Sequence, residues 1–490
     1  VRALAAPSAR PRGVPGAGAG ALAALALAAS VLAGPARAAS IEWETGDPWI
    51  RDFLWRAGAG APGVEPRSIP PSDPEIAIHV SEIEGGDDAA WRNHEGDRAS
   101  EGVHATLEAG AVAGAGERAS IRLRPRAIVS RDGARVTWLE ALAALRFGAF
   151  ALDAGRTRLW LGPGLHGSLL LSTHARPLDL VRLRAQGPVM ARIPFLPDVH
   201  ALSGGFAVAF LRDQDRDFPN PHLGLLHVGA RFGSWLDVGF YRTMLFAGEG
   251  RHFAWSLDNV GELLFADGEN DPDPEENLSD QLGAAAFVAR LDALFAEWAG
   301  DPPVEGDRER GGSSEGGGDS SGGLWVYYEY AGEDNLRGLL LRNPGVLGGV
   351  RWANGPWEAA IEFANNRRRS STWYSHVVYT SGYTYRGVVL GHHMGGDARD
   401  IVVEAAAPLP GGRRVLAFAG REEALFSSRP SPAEAWMIGG SMEDVVRAGG
   451  AALAVDFIAQ WGRDYPIDVL GSIERLRATL RVAWRPGGRT

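Results

Sequence analysis

The chain is 490 residues long, carries a formal net charge of −11 at pH 7 and contains no cysteine. That charge argues against a nucleic-acid partner, whose phosphates demand a basic surface, and the missing thiols exclude thiol catalysis, thiolate zinc sites and iron–sulfur clusters. No internal run reaches the apolar length of a membrane helix, which excludes a helical membrane bundle but not a barrel, whose strands turn only alternate residues to lipid.

Residues 1–38 have the layout of a cleavable export signal. Arg2, Arg10 and Arg12 form a basic region, Ala21–Ala33 is mostly apolar, and Ala36-Arg37-Ala38 is a small-x-small site, so cleavage is expected after Ala38. Residues 39–120 read as a lead-in, with Trp43, Trp49 and Trp55 among charges and prolines, followed by the first barrel segments. From about Ile121 a period of two takes over. Ile121 and Leu123 alternate with Arg122 and Arg124. Leu226, Val228 and Ala230 alternate with His227, Gly229 and Arg231. Trp357, Ala359, Ile361 and Phe363 alternate with Glu358, Ala360 and Glu362, and Leu480, Val482 and Trp484 with Arg481 and Arg485. A soluble sandwich also alternates. Two further features favour a membrane barrel. Many segments run to about ten residues, the length of a tilted spanning strand, and Trp235, Trp325, Trp357 and Trp484 stand at segment ends like an interfacial girdle. The expected fold is therefore all-β, a transmembrane antiparallel β-barrel over 121–490.

Two insertions, 248–281 and 300–323, interrupt the strands. The first contains a helix-compatible piece, Ser256–Phe265, and then an acidic run. The second is Gly/Ser-rich and lacks the apolar residues that offset ordering entropy. Both are assigned to the extracellular side, because periplasmic turns are short. Between them, Phe287, Leu291, Leu294 and Phe295 recur at helical spacing, so Ala284–Trp298 leans towards helix. No solenoid or propeller repeat stands out.

Two blocks concentrate unusual residues. Arg158–Pro177 reads RLWLGPGLHGSLLLSTHARP, and Trp373–Arg399 reads WYSHVVYTSGYTYRGVVLGHHMGGDAR. The glycines of the first lack the G-K-[ST] ending of a phosphate loop. In spacing and order, the two blocks resemble the WGPG…GSL-x-LS and WY-x-H-x-x-Y-x-x-GY-x-Y…GH signatures of the Wzi capsule-assembly family. The resemblance implies an outer-membrane barrel of about eighteen strands, sealed by helices on its outer side, that holds capsular polysaccharide at the cell surface without catalysis. It calls for no cofactor.

Aromatic faces suit the C–H surfaces of sugars and polar groups suit their hydroxyls. Trp373, Tyr374, Tyr379, Tyr383 and Tyr385 are thus the candidate faces, and His376, His392, His393 and Asp397 the candidate polar contacts. A competing assignment makes the same rings an interfacial belt and lumen filling. Arg367, Arg368 and Arg369 form a basic cluster able to pair with uronic-acid carboxylates or with lipopolysaccharide phosphates. The expected partners are a capsular or exopolysaccharide and the lipid of the outer membrane, with the protein acting as a monomer.

Other constellations are weaker. His392, His393 and Asp397 have cation-binding side chains. Asp213, Asp215 and Asp217 start like a calcium loop, but Phe218 and Gly224 stand where that motif needs Gly and Glu, so no metal site is assigned. Glu358 and Glu362 share a strand face about 13 Å apart, too far for a glycosidase pair. Arginines on inward faces leave a diffusion porin for sugars or anions as the alternative function.

Overall fold

The computed structural model describes residues 67–68, 75–84, 95–96, 100–115, 118–185, 199–233, 235–251, 253–254, 256–265, 277–299, 323–332, 334–336, 340–342, 344–367, 373–411, 413–425, 433–448, 451–463 and 472–484. The proposed signal segment, Trp43, Trp49, Trp55, Arg368 and Arg369 lie outside the described residues.

The alternation seen in the sequence has an inverted sense. Ile361 is 44% exposed while its neighbour Glu362 is 2% exposed. The same holds around the wall: Val181, Val228, Phe240, Val403 and Ile438 are exposed, whereas Arg122, Arg182 and Glu140 are buried. A water-soluble sandwich would bury the first set and expose the second. An apolar outer face with a polar interior is the pattern of a lipid-facing barrel.

Eighteen strands build it: β1 (Glu75–Glu84), β2 (Gly102–Ala115), β3 (Ala119–Ser130), β4 (Gly133–Phe147), β5 (Phe150–Thr157), β6 (Leu178–Ala185), β7 (Val199–Phe210), β8 (His222–Phe232), β9 (Leu236–Phe246), β10 (Ser279–Arg290), β11 (Gly323–Gly332), β12 (Gly345–Asn354), β13 (Trp357–Asn365), β14 (Ala398–Leu409), β15 (Arg413–Ala424), β16 (Ala433–Ala448), β17 (Ala451–Arg463) and β18 (Ser472–Trp484). Each pairs antiparallel with its sequence neighbours, and β1 closes on β18 with Ile76 opposite Trp484. Closure pairs the backbone groups that hydrocarbon cannot solvate and leaves no open edge. Trp436 and Trp461 stand opposite each other across β16 and β17, both exposed, as a cross-strand aromatic pair on the outer face.

Connections differ between the two ends. At the turn end, β4–β5, β8–β9 and β12–β13 are joined by tight turns. The other end, the plug end, has the tight turn between β3 and β4 but also the long connections 158–177, 211–221, 247–278 and 366–397. Helix α1 (Leu257–Phe265) lies in the third of these and matches the helix expected at Ser256–Phe265.

Three expectations need correction. Antiparallel strands place successive connections at opposite ends, so the insertions before β10 and after β10 cannot both face outward. The second leaves from the turn end through helix α2 (Leu291–Ala299). Next, the first part of Ala284–Trp298 is strand: β10 runs to Arg290, and only then does α2 begin. Its alanines give little contrast between faces, which hid the period of two, while Phe287 projects outward and Ala286 and Val288 inward. Finally, Trp325 is not part of an outer girdle. It packs against the interior cluster with the guanidinium of Arg351 4.9 Å above its ring.

Ile361→Arg places a charge at the middle of an outward face. It should cost about 2–4 kcal/mol of folding free energy in lipid, read from denaturant titration of refolding into vesicles. Unchanged stability would show that this face does not meet hydrocarbon.

Candidate functional site

An eighteen-stranded barrel is too wide for its own side chains to fill. Both motif blocks are the filling. Residues 158–177 and 373–397 turn inward from the plug end and bond to each other inside the wall. The first segment carries a two-residue pairing of Leu159–Trp160 with Arg67–Ser68 and a bridge between Leu161 and Leu171. Gly162 has φ +135°, and a Cβ there would stand 2.7 Å from the Glu329 carboxylate and 2.8 Å from the Ser168 hydroxyl, so the turn requires glycine.

The tip of this segment is held by one carboxylate. The backbone amides of Leu165, His166 and Gly167 all donate to Glu362, at 2.9 Å for His166 and 3.1 Å for Gly167. The Tyr327 hydroxyl donates to the same carboxylate at 2.9 Å. Beside it, His166 Nε2 lies 3.1 Å from a Glu404 oxygen. A buried loop must satisfy its amides, and a carboxylate accepting several N–H groups does so with charge-assisted bonds. Glu362 therefore has a defined structural role that the alternation alone did not reveal.

The two segments share further bonds. Tyr374 donates to the Leu169 carbonyl at 2.7 Å and accepts the His392 amide at 3.0 Å. The Ser172 amide donates to the Leu390 carbonyl, and its hydroxyl to that of Gly391. Gly167 faces His392 so closely that a Cβ would fall 2.0 Å from Nε2. Glu95, from the connection after β1, bonds to the first segment through the Thr173 carbonyl and pairs with Arg126 and Arg158.

A third connection clamps the second segment. Arg216 donates to the carbonyls of Gly382 and Thr384. Asp213 accepts the Arg386 amide at 2.6 Å, and Asp217 accepts the Ser381 hydroxyl at 2.7 Å. Burial pushes the Asp217 carboxyl up, but the Ser381 hydroxyl and the amides of Phe218 and Thr380 outweigh it and hold it below the ordinary range. The aspartates that resemble a calcium loop are thus two clamp residues with the exposed Asp215 between them.

The nominated aromatics are buried. Trp373, Tyr374, Tyr379, Tyr383 and Tyr385 pack in the main interior cluster, with Tyr379 and Tyr383 at 0% exposure. Burial raises the Tyr383 phenol above its ordinary pKa, so it stays neutral. Tyr374 stacks on Tyr383 with ring centroids 6.0 Å apart. His392, His393 and Asp397 are buried too, and His376 is half-buried, its Nδ1 accepting the amides of Val378 and Tyr379. Arg367 is paired with Glu423 at 2.9 Å, in a network with Arg399 and Arg421. What the plug presents to solvent is different: Ser375, Val377, Thr380 and Arg386 are exposed, as are Arg212, Gln214 and Asp215 of the clamp. Arg386 lies 6.0 Å from the Tyr385 ring centroid.

Below the plug the inner wall is lined by paired charges. Glu108 joins Arg124 and Arg126, each at 2.7 Å. Asp153 joins Arg182 at 2.6 Å and Arg184 at 2.9 Å, and Glu358 joins Arg351 and Arg414. The Glu358–Glu362 pair therefore has two separate tasks, one in wall pairing and one in holding the plug.

The family model for "Capsule assembly protein Wzi" matches residues 79–298 and 323–433, the greater part of the chain. The chain belongs to the Wzi capsule-assembly family. Both plug segments fall inside the match, and with the apolar outer wall this makes it an outer-membrane β-barrel. Among solved structures, the chain is similar to Wzi of Escherichia coli, described as an outer-membrane protein involved in group 1 capsule assembly and a carbohydrate-binding β-barrel. The TM-score is 0.65 at 16% identity, with 90% of this chain and 98% of that one covered. Weaker likenesses are to OccK5 (OpdH) of Pseudomonas aeruginosa (TM-score 0.45, 9% identity, 86% and 99% covered) and OccAB3 of Acinetobacter baumannii (TM-score 0.44, 10% identity, 84% and 99% covered). No curated protein sequence matches the chain.

Glu362→Ala leaves three amides and a phenol inside the barrel without their acceptor. It should cost on the order of 3 kcal/mol and expose the Arg158–Pro177 segment to limited proteolysis while the wall stays folded. Protection equal to the unaltered protein would contradict the assigned role.

Proposed function

We propose that this protein holds surface polysaccharide at the outside of the outer membrane, as a non-enzymatic anchor in capsule or exopolysaccharide assembly. The observation that carries the reading is the paired plug. The two segments that carry the family resemblance are spent on filling and fixing the lumen, which suits a platform better than a conduit. The plug end is taken as the outer end, because most of the long connections, which face outward in such barrels, lie there, the one after β10 leaving from the other end.

The sugar-facing set moves accordingly from the buried rings to the exposed rim. Arg212, Gln214, Asp215, Thr380 and Arg386 offer guanidinium, amide, carboxylate and hydroxyl groups to a polar chain. Arg212 and Arg386 suit uronic-acid carboxylates. Tyr374, Tyr379 and Tyr383 act indirectly, by holding the segment that displays this rim. Arg367 is engaged with Glu423, which argues for a structural share in its cluster. A single chain closes its own barrel, so the active form is taken as a monomer, with lipopolysaccharide and lipid as its surroundings. No step of bond cleavage is assigned, as Glu358 and Glu362 are occupied in pairing and plug support.

Glycan pulldown with the purified surface polysaccharide of the source organism should retain the refolded barrel. Arg212→Ala with Arg386→Ala should lower retention at least fivefold without loss of folding. In planar bilayers the same protein should pass no steady ion current. Absence of retention together with open-channel conductance would favour the porin alternative.

A further inference from the structure

Asp400 on β14 stands directly opposite Glu422 on β15, and both carboxylates are buried on the inner face. Like charges directly opposite each other destabilise a sheet, and burial makes the charges costlier. His393 reaches between them. Its Nε2 lies 3.3 Å from Asp400 Oδ2 and 3.5 Å from Glu422 Oε2, with the imidazole itself buried.

Those distances are informative. A charge-assisted imidazole–carboxylate hydrogen bond closes to about 2.7–2.9 Å. A tetrahedral metal with bonds of about 2.0–2.1 Å keeps its ligand atoms about 3.4 Å from one another. The spacing found here is that of co-ligands around a shared centre. His392 completes the group. Its ring centroid is 4.3 Å from that of His393, and one ligand atom from each of His392, His393 and Asp400 lies within 4.8 Å of the others, all three residues buried.

We propose that His392, His393 and Asp400, with Glu422 as a fourth donor, form a site for one divalent transition-metal ion of the zinc class. Two imidazoles with carboxylates suit zinc, whereas calcium and magnesium demand all-oxygen shells. Two neutral imidazoles and two carboxylates balance a dication, which resolves the repulsion across β14 and β15. The partner carboxylate is Asp400 and not Asp397, the residue closer in sequence; Asp397 turns the chain at φ +54° and its carbonyl accepts the Leu425 amide. The ion would fasten the end of the second plug segment to two wall strands. This inference concerns the plug's attachment and does not depend on the polysaccharide reading.

The test uses the full-length barrel in detergent, loaded with Zn²⁺, freed of excess metal by dialysis and measured by inductively coupled plasma mass spectrometry. About one zinc per chain is expected for the unaltered protein. His393→Ala and the near-isosteric Asp400→Asn should each fall at least tenfold, while Glu358→Gln, a lumenal carboxylate outside the cluster, keeps the full content. Co²⁺ loading should give the intense visible bands of a tetrahedral centre in the unaltered protein and not in Asp400→Asn. Heat-modifiable gel mobility identifies the folded fraction, and if His393→Ala fails to fold, Asp400→Asn decides. Zinc in the unaltered protein no higher than in Asp400→Asn would overturn the proposal, as would full zinc retention by Asp400→Asn.

Discussion

Three consecutive backbone amides, those of Leu165, His166 and Gly167, end on the single carboxylate of Glu362, and the plug depends on that interaction. Chain that enters a barrel leaves water and must find acceptors for its amides. A strand would meet the need with a ladder, but the tip of this segment turns back on itself and donates to a side chain instead. A negative charge placed on the inner face of β13 supplies the acceptors at one point. The other contacts then follow in order. Tyr374 ties the second segment to the first, His392 lies against Gly167, and the clamp of Asp213, Arg216 and Asp217 fixes the exposed turn above them.

The wall obeys the same economy of polar groups. Its inner face carries arginines and carboxylates in short ion pairs, so the lumen is polar and these carboxylates are paired. Breaking one partner of such a buried pair leaves an uncompensated charge, which costs more than the pair contributes. The chain's net negative charge therefore says little about the interior, where Glu108, Asp153 and Glu358 are each met by two arginines.

The barrel was legible because alternation of Trp357–Phe363 and similar stretches survives in the amino-acid order. The sense of that alternation was not legible, since a soluble sandwich and a membrane barrel write the same pattern and differ only in which face meets solvent. Ala284–Val288 failed for want of contrast, because alanine serves either face. The two motif blocks were legible as a family resemblance, and the family match covers both. Their aromatics were read either as candidate faces for sugar or as belt and lumen filling, and Tyr379 and Tyr383 are fully buried. Residue type reports what a ring can do, not which way it points. Asp400 was missed beside His393 because a turn at Asp397 brings residues seven apart in sequence together.

The plug is fixed before any ligand arrives and meets its ligand with the exposed rim. Hydrogen–deuterium exchange of the folded barrel, with and without the purified surface polysaccharide, addresses both halves at once. The amides of Leu165–Gly167 and of Tyr383 and His392 should already be protected in the free protein, and added polysaccharide should slow exchange in 211–218 and 375–387. Free exchange of the Leu165–Gly167 amides without ligand, or slowing confined to the turn end of the barrel, would contradict it.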